Sequence, residues 1–323
     1  MVTAIALIIA GFTLLIIGGE FLLRGAVAIA TLAKLTPAVI GLTIVAAGTS
    51  VPELAVSFVA AVDGKTDICV GNVVGSNIFN ITFILGLTAL IRALSVSGNT
   101  VKLEYPVVAI VALLFIALGN DNLISRLDAT LFIAIYVAFT VYLIHVVKKQ
   151  ISAKESLDIH QGVTELAIDE KPPNILLSSA LTIGGIVLLG FGAEYTVSGA
   201  VSIGEFFGLS ERIIGLTIVG AGTSLPEVVT SLIASYRGRN DVAIANILGS
   251  NLFNIVGILG ITAMIAPLPV SREILSYDAW WMIGVTAILF PVMRSGYKIT
   301  RLEGALFLGL YFGYLSTLIF STH

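Results

Sequence analysis

The sequence predicts an all-α polytopic membrane protein with ten transmembrane helices in two inverted five-helix repeats. Three observations lead there. Of the 323 residues, 57% are hydrophobic and only 11% charged, a balance found in membrane chains rather than soluble globular ones. The apolar residues come in continuous stretches of about twenty, the length of a bilayer-crossing helix, and not in the alternating segments of about ten that build a transmembrane barrel. The chain also repeats itself at a constant offset of 174 residues: VIGLTIVAAGTSVPELAVSF from Val39 matches IIGLTIVGAGTSLPEVVTSL from Ile213 without a gap, and VGNVVGSNIFNITFILG matches IANILGSNLFNIVGILG. Roughly half the positions are identical between 39–87 and 213–261, far more than shared apolar composition produces.

Apolar windows separated by charged or turn residues place the helices, in order, at 2–23, 37–62, 68–91, 104–119, 128–147, 175–199, 211–236, 242–266, 277–293 and 303–320. The first runs straight from Met1 into Val2–Leu23 without a basic leader or a small-residue cleavage site, so it reads as a retained helix. The longest polar stretch, Lys148 to Asn174, separates the fifth helix from the sixth. It divides the chain into a first repeat at 1–147, a linker at 148–174 and a second repeat at 175–323. With the N-terminus outside, the inner connections carry Arg24, Lys34, Arg92, Lys102, Lys148, Lys149, Lys154, Lys171, Arg237, Arg239, Arg294, Lys298 and Arg301. The outer ones hold only Lys65, Arg126, Arg212 and Arg272. This asymmetry predicts a multi-pass protein of the plasma (inner) membrane with both termini outside and a cytoplasmic linker.

An odd number of helices per repeat forces the second copy to enter the membrane upside down. Inverted repeats of this kind are the architecture of secondary transporters, in which one midplane site is exposed to each side in turn. Other functions find little support. The single Cys69 cannot form an internal disulfide, and His145, His160 and His323 lie near or beyond span ends, so no transition-metal cluster is expected in the apolar core. No nucleophile–base set of an enzyme is present in the membrane either.

The polar residues common to both repeats carry the chemistry. Glu53 and Glu227 fall at the centres of the second and seventh helices, where a charged side chain costs at least about 3 kcal/mol. No Lys or Arg lies within the four repeat-core helices away from their ends. Two carboxylates brought together by inverted symmetry without a protein counter-charge need a bound cation or a shared proton. Before each lie two hydroxyls and a proline, Thr49–Ser50–Val51–Pro52 and Thr223–Ser224–Leu225–Pro226. The proline cannot donate to the carbonyl four residues earlier, Gly48 or Gly222, and it loosens the turn; broken backbone at membrane depth is tolerated where it lines a site. In the third and eighth helices, Asn72, Ser76 and Asn80, and Asn246, Ser250 and Asn254, recur every four residues along one helix face. These amides, with Asn77 and Asn251, fit either interhelical glue or cation ligands. The combined inventory is oxygen only, the set hard cations prefer, and two carboxylates neutralise one Ca²⁺ or two monovalent ions.

These residues resemble the two signature repeats of the Na⁺/Ca²⁺ exchangers of the cation/Ca²⁺ antiporter superfamily, in particular its short prokaryotic members: GTSVPE with GNVVGSNIFN as the first, GTSLPE with ANILGSNLFN as the second. The resemblance extends over essentially all ten helices. It implies a secondary antiporter, with no cofactor, in which Glu53, Glu227 and the backbone carbonyls of Thr49 and Thr223 ligate Ca²⁺. It further implies flanking Na⁺ sites from Ala46, Ser50 and Ser76 and from Gly220, Ser224 and Ser250, with Asn80 and Asn254 beside the central site. Some relatives carry an acid in place of Asn254, and in the K⁺-dependent branch that acid accompanies K⁺ transport; the neutral amide here implies K⁺ independence. The linker is too short for the regulatory Ca²⁺-binding domains of animal exchangers. The first and sixth helices are implied to slide past the core as a gate, with Glu20 and Glu194 at equivalent positions in them. The expectation is electrogenic Na⁺/Ca²⁺ antiport through one midplane site, for which a single chain suffices and the lipid bilayer is the surroundings. Ca²⁺/H⁺ exchange on the same glutamate pair is the alternative, and a passive channel is disfavoured by the inversion.

Overall fold

Among the described residues, ten helical segments follow one another in the order of the apolar windows. The computed structural model describes residues 1–33, 35–150, 174–207 and 220–320; most of the linker and the start of the expected seventh helix, 211–219, lie outside the described residues. In chain order the segments are α1 (Val2–Leu32), α2 (Ala38–Thr49 and Val51–Val62), α3 (Ile68–Ile91), α4 (Thr100–Gly119) and α5 (Arg126–Gln150). The second half holds α6 (Ile175–Phe206), α7 (Gly220–Thr223 and Leu225–Tyr236), α8 (Asn240–Ile265), α9 (Ile274–Arg294) and α10 (Arg301–Phe320). Among the described residues, seven helices are long and apolar enough to cross a membrane by themselves, and the bent pair of α2 makes an eighth span.

The apolar windows place the ends of α1 and α6 too early. Helix α1 continues past Arg24 to Leu32, because Arg24 lies one turn after Glu20 and pairs with it. A charge neutralised along its own helix does not interrupt it, and the apolar run Gly25–Leu32 follows directly.

Two short strand pairs display the inverted symmetry. Strand β1 (Leu94–Ser95), after α3, runs antiparallel to β4 (Lys298–Ile299), before α10. Its counterpart joins β2 (Leu123–Ile124), before α5, to β3 (Leu268–Pro269), after α8. Exchanging the two halves of the chain exchanges the two pairs. The helices that follow are capped alike: Ser125 N–H donates to Asp128 Oδ2 at 2.8 Å, and Thr300 N–H donates to Glu303 Oε2 at 2.7 Å, each satisfying an otherwise free helix-terminal group.

Helices α3 and α8 form the centre, with α8 buried along its whole apolar length. Around them, α1 and α6 form a pair of their own, packing on each other far more extensively than on the rest. The seam is made of glycines every seventh residue, Gly11, Gly18 and Gly25 in α1 against Gly199, Gly192 and Gly185 in α6. It lets the backbones touch: a Cβ on Gly185 would sit 2.7 Å from Gly18 O, and one on Gly192 would sit 2.9 Å from Gly11 O. Close approach through small residues is how membrane helices associate without a hydrophobic driving force. Replacing Gly185 by Leu is therefore expected to force α1 and α6 apart and to cost about 1–3 kcal/mol, read as a lower midpoint in thermal unfolding of the detergent-solubilised protein, whereas Gly184→Leu, where a Cβ meets nothing within 4 Å, is expected to leave it near wild type.

Candidate cation site

The site begins with two broken helices. Pro52 and Pro226 have no N–H to continue the ladder, and the chain leaves helical geometry at the residue two before each: Ser50 (φ −83°, ψ 13°) and Ser224 (φ −88°, ψ 8°). The two limbs of α2 meet at 47°. Each break starts a new helix limb, and the acid of the motif falls in its first turn, Glu53 in Val51–Val62 and Glu227 in Leu225–Tyr236. There the N-terminal end of the helix dipole favours negative charge.

Both carboxylates are buried to 1% exposure, and each is held by the serine of the opposite repeat. Ser224 Oγ donates to Glu53 Oε1 at 2.7 Å, and Ser50 Oγ donates to Glu227 Oε1 at 2.8 Å. The second oxygens, Glu53 Oε2 and Glu227 Oε2, accept no hydrogen bond. Among the described residues, no Lys or Arg forms an ion pair with either acid. The break in one repeat therefore delivers its hydroxyl to the charge of the other, and two buried carboxylates share one space without protein counter-charge.

The remaining polar candidate residues are buried within α2, α3, α7 and α8. Ser76 Oγ lies 3.4 Å from Ser224 Oγ. Ser250 is fully buried with a hydroxyl that has no partner. Thr49 Oγ1 donates to Ala46 O at 3.2 Å and approaches Asn246 Oδ1 at 3.3 Å; Ala46 O also accepts the Ser50 N–H. Thr223 is buried in the short limb that opens at Gly220. Asn80 and Asn254 are each 1% exposed, with Oδ1 atoms that accept nothing. Both sit at π turns, Asn80–Ile84 in α3 and Phe253–Ile258 in α8, an irregularity that is frequent at functional sites and that recurs here at Gly41–Val45, Thr100–Glu104 and Ile274–Asp278.

Asn72 and Asn246, left open between glue and ligand, act as braces. Asn72 Nδ2 donates to Ser57 Oγ at 3.0 Å and to Glu53 O at 3.3 Å, and Asn246 Nδ2 donates to Ser231 Oγ at 3.0 Å. Ser57 and Ser231 are the residues the motif analysis missed, although both stand in the matched repeat strings. Glu20 and Glu194 are not equivalent in their surroundings: Glu20 bridges Arg24 and, at 2.5 Å, Arg237 at the end of α7, whereas Glu194 is exposed. Neither belongs to the buried cluster.

Five buried oxygens without a hydrogen-bond partner, Glu53 Oε2, Glu227 Oε2, Asn80 Oδ1, Asn254 Oδ1 and Ser250 Oγ, make a hard, oxygen-only donor set drawn from four helices. Among the described residues, no group of three or more His, Cys, Asp or Glu could hold a metal, so a cation held by the two carboxylates would fill its shell from amide, hydroxyl and backbone carbonyl oxygens. A sequence model of the sodium/calcium exchanger protein family matches residues 3–145 and again 177–320. The chain belongs to the sodium/calcium exchanger family. It is thus a multi-pass membrane transporter of the cation/Ca²⁺ exchanger class and not an enzyme. It is 37% identical to the protein CaxA of Alkalimonas amylolytica, over 100% of both chains. To the sodium/calcium exchanger MaX1 of Methanosarcina acetivorans it is 30% identical over 97% of this chain and 98% of that one. The fold superimposes on the solved sodium-calcium exchanger NCX_Mj with a TM-score of 0.82 at 28% identity, covering 98% of this chain and 99% of that one.

Two like charges buried together oppose folding until something neutralises them. Ca²⁺ is therefore expected to raise the thermal unfolding midpoint of the purified exchanger, by about 2.7 kcal/mol of added stability at a hundredfold excess over its dissociation constant. Glu53→Gln should lose that response, and without divalent cations it should unfold no earlier than wild type.

Proposed function

We propose that the protein is an electrogenic, K⁺-independent Na⁺/Ca²⁺ antiporter, in which Na⁺ moving down its gradient drives Ca²⁺ through one midplane site open alternately to each side. The observation that carries this reading is the reciprocal pairing of Ser50 with Glu227 and Ser224 with Glu53, which leaves two charges for one divalent or two monovalent cations. In this reading Ca²⁺ is ligated by Glu53, Glu227 and the carbonyls of Thr49 and Thr223. Na⁺ uses the positions around Ala46, Ser50 and Ser76 and around Gly220, Ser224 and Ser250, with Asn80 and Asn254 beside the central ion. Two Na⁺ on the two carboxylates would exchange for Ca²⁺ without a current, so the electrogenic reading requires a third Na⁺ in each cycle, held by the neutral oxygens of the same set. The neutral Asn254 removes the acid that accompanies K⁺ transport. The α1–α6 pair, held to itself by its glycine seam, is the body that moves past the remaining helices. The basic residues favour an inner-membrane placement with both termini outside and residues 148–174 in the cytoplasm.

Ca²⁺ flux into proteoliposomes under imposed gradients tests the coupling. An outward-directed Na⁺ gradient should drive Ca²⁺ uptake, a membrane potential should change its rate, and external K⁺ should not be required. Uptake driven by a pH gradient alone would instead assign Ca²⁺/H⁺ exchange to the glutamate pair, and flux without any counter-ion would assign a channel. Glu53→Gln and Glu227→Gln should each abolish Ca²⁺ transport; normal transport by either would remove the site. Protonation and Ca²⁺ binding compete for the same carboxylates, so transport should fall as pH falls, and a rise in acid would contradict the assignment.

A further inference from the structure

An asparagine offers a cation one useful end. Its carbonyl oxygen attracts the ion, its NH₂ repels it, and the two ends are nearly the same size, so rotation by half a turn converts a ligand into a barrier. Asn80 and Asn254 both turn their NH₂ groups away from their free oxygens, and the groups that receive them belong to the opposite repeat. Asn80 Nδ2 donates to Asn251 Oδ1 at 3.0 Å, and Asn254 Nδ2 donates to Asn77 Oδ1 at 3.2 Å. Asn251 is itself fixed, because its Nδ2 donates to the backbone carbonyl of Asn77 at 3.2 Å. A backbone carbonyl only accepts. From it the polarity of the whole chain follows: Asn77 O accepts from Asn251, Asn251 Oδ1 accepts from Asn80, and Asn80 Oδ1 is left unpartnered and buried. The second chain is anchored more weakly, since Asn77 Nδ2 faces only the Met282 thioether at 3.6 Å.

We infer that Asn77 and Asn251 are positioning residues that set the direction of the Asn254 and Asn80 amides across the repeat boundary, so that both present oxygen rather than NH₂ to the transported cation. The inference rests on the proposed Ca²⁺ site and adds to it two residues that do not touch the ion. Aspartate supplies the discriminating control, because a carboxylate has oxygen at both ends and no wrong face. The test is the apparent KM for Ca²⁺ in Na⁺-driven proteoliposome uptake for Asn251→Leu, Asn80→Asp and the double variant. Losing the acceptor should raise KM about tenfold in the Asn80 protein, with a smaller effect on the maximal rate. In the Asn80→Asp background the same Asn251→Leu change should raise KM less than twofold, because no amide remains to be aimed. An equal rise in both backgrounds would make Asn251 a packing residue and overturn the inference, as would an unchanged KM in the single variant. The parallel cycle of Asn77→Leu with Asn254→Asp decides the matter if Asn251→Leu does not fold, with a smaller expected rise because of the weaker anchor. Asn80→Leu separates the two levels: if it leaves the KM for Ca²⁺ unchanged, the site reading itself fails, whereas a raised KM together with equal penalties in the cycle rejects only the orientation.

Discussion

Two buried carboxylates, neither of them paired with a Lys or Arg among the described residues, are the constraint on which the rest depends. A charge at the centre of a membrane helix costs several kcal/mol even by lenient scales, and a second like charge nearby adds to it. The protein does not neutralise Glu53 and Glu227; it only half-satisfies each with a serine from the opposite repeat. That arrangement requires the halves to meet in register to within a fraction of an ångström. Symmetric strand pairs β1–β4 and β2–β3 tie connecting segments of one repeat to those of the other, and α8, buried along its whole apolar length, lies beside α3 at the centre.

The glycine seam supplies the complementary property. Because Gly11, Gly18 and Gly25 recur at Gly185, Gly192 and Gly199, the two copies of one stripe pack against each other, and α1 with α6 becomes a body distinct from the rest. A smooth, small-residue seam fixes these two helices together while leaving their outer contacts comparatively few. Inverted repeats with identical sequences would have two end states of equal energy. This chain departs from that degeneracy, and one departure among the described residues lies at the α1–α7 contact. Glu20 ties α1 to Arg237 at the end of α7, while the positions related by the repeat hold Glu194 and Asp63, which carry like charges and cannot pair. If the α1–α6 pair is the moving body proposed above, the sequence weights one of its arrangements over the mirror one.

Much of this was legible from residues alone because the chain contains its own comparison. Positions alike in both repeats single out Glu53 and Glu227, the serine–proline breaks and the asparagine trios; the two acids, the two serines of the breaks and Asn80 and Asn254 are all buried. What stayed hidden was of three kinds. The crossing of Ser50 to Glu227 and Ser224 to Glu53 depends on which repeat faces which, and periodicity within a helix carries no such information. The π turns at Asn80–Ile84 and Phe253–Ile258 arise from tertiary packing and lack a local propensity signal. Ser57, Ser231 and the seven-residue glycine stripe were present in the matched strings or in plain periodicity, but small and weakly polar residues are so common in membrane helices that repetition alone does not separate bracing from packing. Helix ends failed where a charge was taken as a boundary, since the partner that keeps Arg24 within α1 is Glu20 one turn earlier.

The donor set also bears on what the carboxylates await. A shared proton would satisfy two neighbouring acids with one short hydrogen bond and would have no use for the unpartnered oxygens of Asn80, Asn254 and Ser250. In the proposed Ca²⁺ site a divalent ion would use them, because six to eight oxygens are needed to replace its water and only about two come from each acid. Filling such a shell draws on α2, α3, α7 and α8 at once, so both repeats must be engaged together. Monovalent ions require less charge each and fewer ligands, and either repeat by itself offers a carboxylate, a hydroxyl and an amide oxygen. Occupancy by one ion that joins the halves, or by several that each rest on one half, balances the same buried charge. In the proposed exchange, one Ca²⁺ or a pair of Na⁺ would balance the same two carboxylates, so the two occupancies would exclude each other, and a third Na⁺ would carry the net charge.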